Sequence, residues 1–548
     1  MKKFLAAILA AALVAAIHIL PAAGEAPQTK TLRILATSDL HGKFCPWDYA
    51  LNEASYSGSM AQLSTAIAQY RDERTILVDA GDTLQDNSAD LFIGGAEVHP
   101  MVQAINAIGY DVWVTGNHEY NYGLDTVKKT IGDLRCKALT GNVYDRNGAP
   151  IADGCAILER DGVRVAVIGM VTPNIVRWDA ANLAGCAVTD PLEETRRIID
   201  GIRGQYDVLV GVFHMGINNE YGLPNSGVTD ILNACPEFDV MVSAHEHILI
   251  PSMEINGALV VQNKNQAQTM SVIDLTLERA ETGWRVKEKT AQSVMIGDYE
   301  ADPGMMERLA RYDMQAREDA EKGIGVLEGG PLAPESVTEE NLAAYIQDTA
   351  LIDLINEVQL YYSGAEVSAA TLSVANANLY PGEIRKCDIA RIYKYSNTLY
   401  KVHMTGAQLK RLMEWSAGCF NTLKPGDPGI SIREGFHATN YFMFAGIRYE
   451  VNLSHEPGDR IERLTWPDGT PVKDDDAFDL AVNNYFASSQ LLAPGTIFEA
   501  DDLPTLVEMD IHGEIGGIRE LIGAYIASVK GGVIHAGCDE SWRITGRE

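Results

Sequence analysis

The stretch Val112-Trp113-Val114-Thr115-Gly116-Asn117-His118-Glu119-Tyr120-Asn121-Tyr122-Gly123 decides how the rest of the chain is read. Its apolar, β-branched start predicts a buried strand. Gly116 permits a sharp turn at the strand end, which leaves Asn117 and His118 at the rim of a sheet. Open α/β sheets keep their chemistry at that rim. Asparagine offers a neutral oxygen to a cation, and the neighbouring imidazole can give a proton or a hydrogen bond to an anionic group beside that cation.

Four other strand ends carry the same kind of residue. Leu32 to Thr37 reads as a strand that ends at Ser38-Asp39-Leu40-His41-Gly42, where Asp39 and His41, two apart on extended backbone, point the same way. Thr75 to Val78 runs into Asp79-Ala80-Gly81-Asp82, Asp207 to Phe213 delivers His214, and Asp239 to Ser243 delivers His245-Glu246-His247. Between these runs lie amphipathic stretches, so the pattern predicts an α/β layer structure. Of 12 histidines, His41, His118, His214, His245 and His247 fall at strand ends. One such histidine would ordinarily be a hydrogen-bonded structural residue, but chance does not place five of them this way.

At 548 residues the chain is too long for one core. Its 46% apolar and 22% charged content is that of a folded protein. The 75 acidic and 44 basic residues give a net charge of −31, which repels polyanions and argues against a nucleic-acid polymer as partner. A small anionic substrate is still compatible where a multivalent cation neutralises the site. Met1-Lys2-Lys3, the apolar run Phe4 to Leu20 and the small residues Ala22 and Gly24 predict a cleaved secretory signal peptide over 1–24. The mature protein is therefore expected to be exported, without a stable membrane anchor, to the periplasm, the cell surface or the medium. The eight cysteines show no zinc-module spacing, and either disulfides or free thiols fit them.

In order, Asp-x-His, Gly-Asp, Gly-Asn-His-Glu, a lone strand-end His and His-x-His resemble the calcineurin-like dimetal phosphoesterases. Within them they look like the 5′-nucleotidase/2′,3′-cyclic phosphodiesterase family. Tyr393 to Leu399, Asn440 to Gly446 and Ala481 to Tyr485 resemble the 2′,3′-cyclic-nucleotide 2′-phosphodiesterase/3′-nucleotidase branch. The resemblance implies a metallophosphoesterase α-β-β-α sandwich over 30–295, a linker helix over 301–323, and a C-terminal α/β substrate domain over 325–548. Asp302-Pro303 at the start and Gly323 at the end independently suit a helix there.

The resemblance also implies two divalent ions, drawn from Mn, Zn, Fe and Co, with Asp82 bridging them. Asp39, His41 and His247 would complete one site, and Asn117, His214 and His245 the other. A hydroxide held between the ions would attack phosphorus while His118 stabilises the transition state or protonates the leaving oxygen. Tyr395, Asn397 and Tyr485 are the candidate nucleotide-binding residues. The Gly-Gly-Asp-Gly-aromatic segment of relatives is replaced by Ala487-Ser488-Ser489-Gln490-Leu491-Leu492, and the Gly-Gly-x-Arg loop is missing around Asn376-Ala377-Asn378. A 5′-nucleotidase or UDP-sugar-type hydrolase, a hydrolase of another sulfur or phosphorus ester, and a non-catalytic nucleotide-binding surface protein are the alternatives.

Where many relatives place an Asp three residues after the catalytic His, this chain has Asn121. An amide orients the ring but adds no charge, so His118 is predicted to be less readily protonated than in those relatives. In pH–rate profiles, Asn121→Asp is expected to move a limb relative to wild type; profiles that superimpose contradict the prediction.

Overall fold

Alternating β-branched runs make strands that bury both faces, and here they form two six-stranded sheets packed face to face. The computed structural model describes residues 28–49, 52–334, 343–372, 374, 376–395, 397–435, 440–513 and 515–546. The expected signal peptide lies outside these residues.

The strands of the two sheets are β1 (Thr29–Thr37), β2 (Thr75–Asp79), β3 (Val112–Val114), β4 (Lys137–Leu139), β5 (Cys155–Arg160), β6 (Val163–Val171), β7 (Val208–His214), β8 (Val240–Ser243), β9 (Ile250–Ile255), β10 (Ala258–Gln262), β11 (Thr269–Arg279) and β12 (Trp284–Met295). The sheet orders are β12-β11-β1-β2-β3-β4 and β9-β10-β8-β7-β6-β5. β1 to β4 run parallel, as do β6, β7, β8 and β10, so in each sheet the carboxyl ends of these strands share one edge.

Period-two alternation sorts the side chains. Val208, Val210 and Val212 meet Ile34, Val78 and Val114 between the sheets, while Leu209 and Phe213 face helices on the outer side. Leu35, Leu77 and Trp113 likewise face the helices Met60–Tyr70 and Pro100–Ile108. The layers are thus α-β-β-α. Gly169 allows a close approach of the sheets, since an added Cβ would lie 2.6 Å from Leu139 Cβ and 2.9 Å from Val114 Cγ2.

The helix Pro303–Ala320 opens with Asp302, whose carboxylate accepts from the N–H groups of Gly304 and Met305. Met305, Leu309, Tyr312 and Ala316 recur at helical spacing and pack on the outer helices of the first sheet. Beyond it, Gly323–Glu328 pairs with Gly382–Arg385 and Val533–His535. A second, five-stranded sheet follows, in the order Met443–Ala445, Val367–Ala370, Ala477–Asn483, Leu399–Thr405 and Thr505–Glu508. The helix Ala350–Ser363 packs on it. Tyr395 lies on the connection between the helix Lys386–Ile392 and the strand that starts at Leu399. All eight cysteines are free. Among the described residues no helix is long and apolar enough to cross a membrane.

Ile273, fully buried in β11 opposite Ile34, tests the sandwich core. Ile273→Ala should cost about 2–5 kcal/mol. Ile157→Ala, at a site 40% exposed on edge strand β5, should cost less than about 0.5 kcal/mol. Urea unfolding followed by tryptophan fluorescence measures both.

Candidate metal centre

The shared carboxyl edges bring Asp39, His41, Asp82, Asn117, His214, His245 and His247 together within two overlapping groups. Ligand-capable atoms of Asp39, His41, Asp82 and His247 lie within 4.8 Å of one another, and so do those of Asp82, His214 and His245. Asn117 joins the second group: its Oδ1 is 2.9 Å from His214 Nε2 and 2.8 Å from His245 Nδ1. Asp82 is common to both groups.

Backbone turns produce this convergence. Asp39, His41, Asp82, His245 and His247 all have positive φ, between 44° and 79°, a region costly for residues with a Cβ and typical of functional sites. Gly81, at φ +91°, brings the turn after β2 against the turn after β3, where an added Cβ would lie 2.2 Å from Gly116 N.

Glu119, fully buried, ties these turns together. Its Oε2 accepts from the N–H groups of Asp82 at 3.0 Å and Gly116 at 2.6 Å, and its Oε1 accepts from Thr83 at 2.7 Å and Leu84 at 3.3 Å. Burial, then the charge of Asp82, push its carboxyl up, and the N–H donors pull it back.

The donor chemistry fits divalent cations. Asp39 Oδ2 and Asp82 Oδ2 are buried with no hydrogen-bond partner among the described residues. His41 Nε2 and His247 Nε2 face each other at 3.0 Å, two ring nitrogens converging on one point. His214 Nδ1 donates to Ala80 O at 2.7 Å, which turns Nε2 toward Asp82 Oδ2, 3.2 Å away. His245 has Nε2 on Glu220 Oε1 at 3.0 Å, which directs Nδ1 inward. Such outer hydrogen bonds fix the ring atom offered to a metal. Burial alone would lower the His214 imidazole, yet Asp82 and Asp39 push it up to about 10, so this pocket favours positive charge. His41 and His247 are held below the ordinary value, burial being the largest cause, as suits neutral ligands.

His118 stands beside the groups, its side chain 31% exposed, with Nε2 4.0 Å from Asp82 Oδ2 and its backbone N–H donating to Asp82 Oδ1 at 2.8 Å. Its Nδ1 is 2.7 Å from Asn121 Oδ1. Burial lowers its imidazole and Asp82 raises it, with a net shift upward. Asn121 is not the end of the chain of contacts: its Nδ2 donates to Asp179, at 3.0 Å from Oδ1 and 3.1 Å from Oδ2. Burial pushes the Asp179 carboxyl up to about 6, with Asn121 and Asn182 pulling it back. A carboxyl group thus does stand behind His118, one side chain further away.

Of the candidate nucleotide-binding residues, Tyr395 and Tyr485 are 45% and 56% exposed. They lie near each other and near Glu220 at the junction of the two halves: desolvation, then Glu220 and Tyr395, raise the Tyr485 phenol. Asn397 is engaged within its own half, where its side chain meets the Tyr393 hydroxyl and its carbonyl accepts from Ile518 N at 2.8 Å. Asp179 and Glu220 escape a reading of the sequence because each lies on a loop with no fixed spacing from the residue it serves. Glu119, inside the opening motif, was in plain view without a distinctive signal.

A sandwich with this donor cluster at its strand ends defines a metal-dependent phosphoesterase. The chain belongs to the calcineurin-like phosphoesterases that carry a 5′-nucleotidase C-terminal domain: residues 32–249 match the calcineurin-like phosphoesterase model and residues 324–491 the 5′-nucleotidase, C-terminal domain model. It is similar, at 27% identity over 95% of its length, to the trifunctional nucleotide phosphoesterase protein of Bacillus subtilis, of which it spans 39%. At 26% identity over 94% of its length it is similar to the 2′,3′-cyclic-nucleotide 2′-phosphodiesterase/3′-nucleotidase of Yersinia enterocolitica, spanning 88% of that protein. Its fold is shared with a 5′-nucleotidase precursor from Thermus thermophilus, with a TM-score of 0.60 at 17% identity over 95% of this chain and all of that one. A Staphylococcus aureus protein solved with alpha-ketoglutarate gives a TM-score of 0.77 at 20% identity over 94% of this chain and 100% of that one.

Glu119→Gln turns an NH2 toward two of the four backbone donors. Each donor left facing it should cost about 1–3 kcal/mol. A lowered melting temperature together with reduced zinc binding in a titration is the expected result.

Proposed function

We propose that this chain is an exported hydrolase of small nucleotides, acting on 2′,3′-cyclic nucleotides and 3′-nucleotides. The observation that carries the phosphoesterase chemistry is the pair of donor groups sharing Asp82, with His118 Nε2 turned toward the same carboxylate. In this reading Asp39, His41, Asp82 and His247 hold one divalent cation, and Asp82, Asn117, His214 and His245 hold the other. Such a pair supplies charge neutralisation on phosphoryl oxygens and a nucleophile at neutral pH.

The protein's own residues do the rest. With its Nδ1 proton engaged by Asn121, His118 is free to place a proton or hydrogen bond from Nε2 on the leaving oxygen. Tyr395 and Tyr485, facing the junction, offer aromatic surface to a base. Residues 30–295 then perform the chemistry and 325–548 select the substrate. Support for the cyclic and 3′ substrates comes from the names of relatives in Yersinia enterocolitica, Salmonella typhimurium and Haemophilus influenzae, each 26% identical. Support for export comes from the signal-like segment Met1 to Gly24.

The test is phosphate release by the chain from Glu25 onward, supplied with manganese, on 3′-AMP, 5′-AMP and 2′,3′-cyclic AMP, the last with added phosphomonoesterase. Turnover of the cyclic and 3′ substrates is expected, falling about 10²–10⁴-fold in His118→Ala. Turnover of 5′-AMP alone replaces the proposal with a 5′-nucleotidase. No turnover of any of them, with metal bound, overturns the nucleotide assignment.

A further inference from the structure

Asn121 lies between an imidazole and a carboxylate, and only one orientation of its amide satisfies both. Its Oδ1 is 2.7 Å from His118 Nδ1, and its Nδ2 is 3.0 and 3.1 Å from the two oxygens of Asp179. Asn121 Nδ2 reaches both oxygens and Asn182 Nδ2 reaches Oδ1, so the Asp179 carboxyl group is placed as an acceptor, and a carboxylate accepts and never donates. Turned over, the amide would press its oxygen against two carboxylate oxygens with no proton between them. It would also present NH2 to His118 Nδ1. Asp179 therefore decides which end of Asn121 faces the histidine, and an oxygen facing Nδ1 requires the ring proton to be there.

We propose that Asp179 is a positioning residue for His118: through Asn121 its carboxylate holds the ring proton on Nδ1 and leaves Nε2 as the atom that faces the reacting group. The proposal rests on the phosphoesterase reading above and adds a residue to it.

The surroundings of Asp179 are built for this. The residue is 6% exposed. Its backbone N–H donates to Ile175 O at 2.9 Å, which fixes it at the carboxyl end of the short helix Ile175–Trp178. Asn182 Nδ2 donates both to Asn121 O at 2.9 Å and to Asp179 Oδ1 at 3.3 Å, bracing the pair from the other side. Asn121 N–H groups and Asn182 thus meet the carboxylate, and no cation approaches it in an ion pair among the described residues. A salt bridge to hold the fold is not what this buried carboxyl group provides. A buried carboxylate is retained at a cost, and here it orients an amide whose other end touches His118.

The test uses the full mature chain labelled with ¹⁵N-histidine, the His118 signals being assigned by their loss in His118→Gln. In wild type without added metal, and again with zinc, His118 is expected as the Nδ1–H tautomer. Asp179→Asn replaces an obligate acceptor with an amide that satisfies either orientation, so both tautomers should be seen. With manganese and 2′,3′-cyclic AMP, kcat should fall about 10-fold with KM unchanged, as for other residues that orient a functional histidine.

The exchange variant Asn121→Asp/Asp179→Asn moves the carboxylate next to the ring; it should restore the Nδ1–H tautomer and recover most of kcat. A wild-type tautomer in Asp179→Asn overturns the proposal, as does an unchanged kcat in the presence of a normal wild-type rate. Should Asp179→Asn not fold, a folded exchange variant carrying the Nε2–H tautomer overturns it equally. Because the tautomer is read without substrate, a protein that hydrolyses no nucleotide removes the substrate assignment while leaving this readout to stand or fall alone.

Discussion

One buried carboxylate holds the centre in place. Glu119 collects four backbone N–H groups, those of Asp82, Thr83 and Leu84 from the turn after β2 and that of Gly116 from the turn after β3. These turns cannot form ladder bonds with each other, and buried N–H groups without partners are expensive. A single acceptor with two oxygens closes both turns. Its position fixes Asp82, the carboxylate common to both donor groups, and Asn117 and His118 immediately after Gly116. Hydrogen bonds donated to a carboxylate also confer a directionality that apolar packing at the sheet edge could not.

The left-handed backbone at Asp39, His41, Asp82, His245 and His247 follows from the same constraint. Each strand must end and turn within two or three residues so that its side chain points over the edge rather than along it. The cost of those conformations is offset by the sheets beneath, whose core of Val, Ile and Leu leaves no room for the strands to slide. Rigid sheets under strained turns are a common way to hold several donors within bonding distance of one point.

The halves of the molecule meet beside the centre. Arg177 Nη1 donates to Ser488 O at 3.2 Å, in the segment Ala487 to Leu492, while the ring of the adjacent Trp178 lies 5.3 Å from the His245 ring. On the other side, Tyr122 Oη donates to Asp90 Oδ1 at 2.5 Å and Arg519 Nη2 meets Asp90 Oδ2 at 3.4 Å. Through Ser488 the segment Ala487 to Leu492 forms part of the contact between the halves.

Sequence by itself determined the layered α/β class, because strand and helix periodicity are local properties. It also determined which residue types end the strands, because a Gly or Asp immediately after a β-branched run is visible without coordinates. It singled out Asp39, His41, Asp82, Asn117, His118, His214, His245 and His247 on that ground. Tertiary structure alone decided how they group, since Asp39 and His245 are 206 positions apart yet joined by a hydrogen bond of 3.1 Å. It alone supplied Glu119, Asp179 and Glu220 as the partners that aim these residues. Hydrogen bonds act through space, and the loops that carry such partners are free to vary in length, so no spacing along the chain records them.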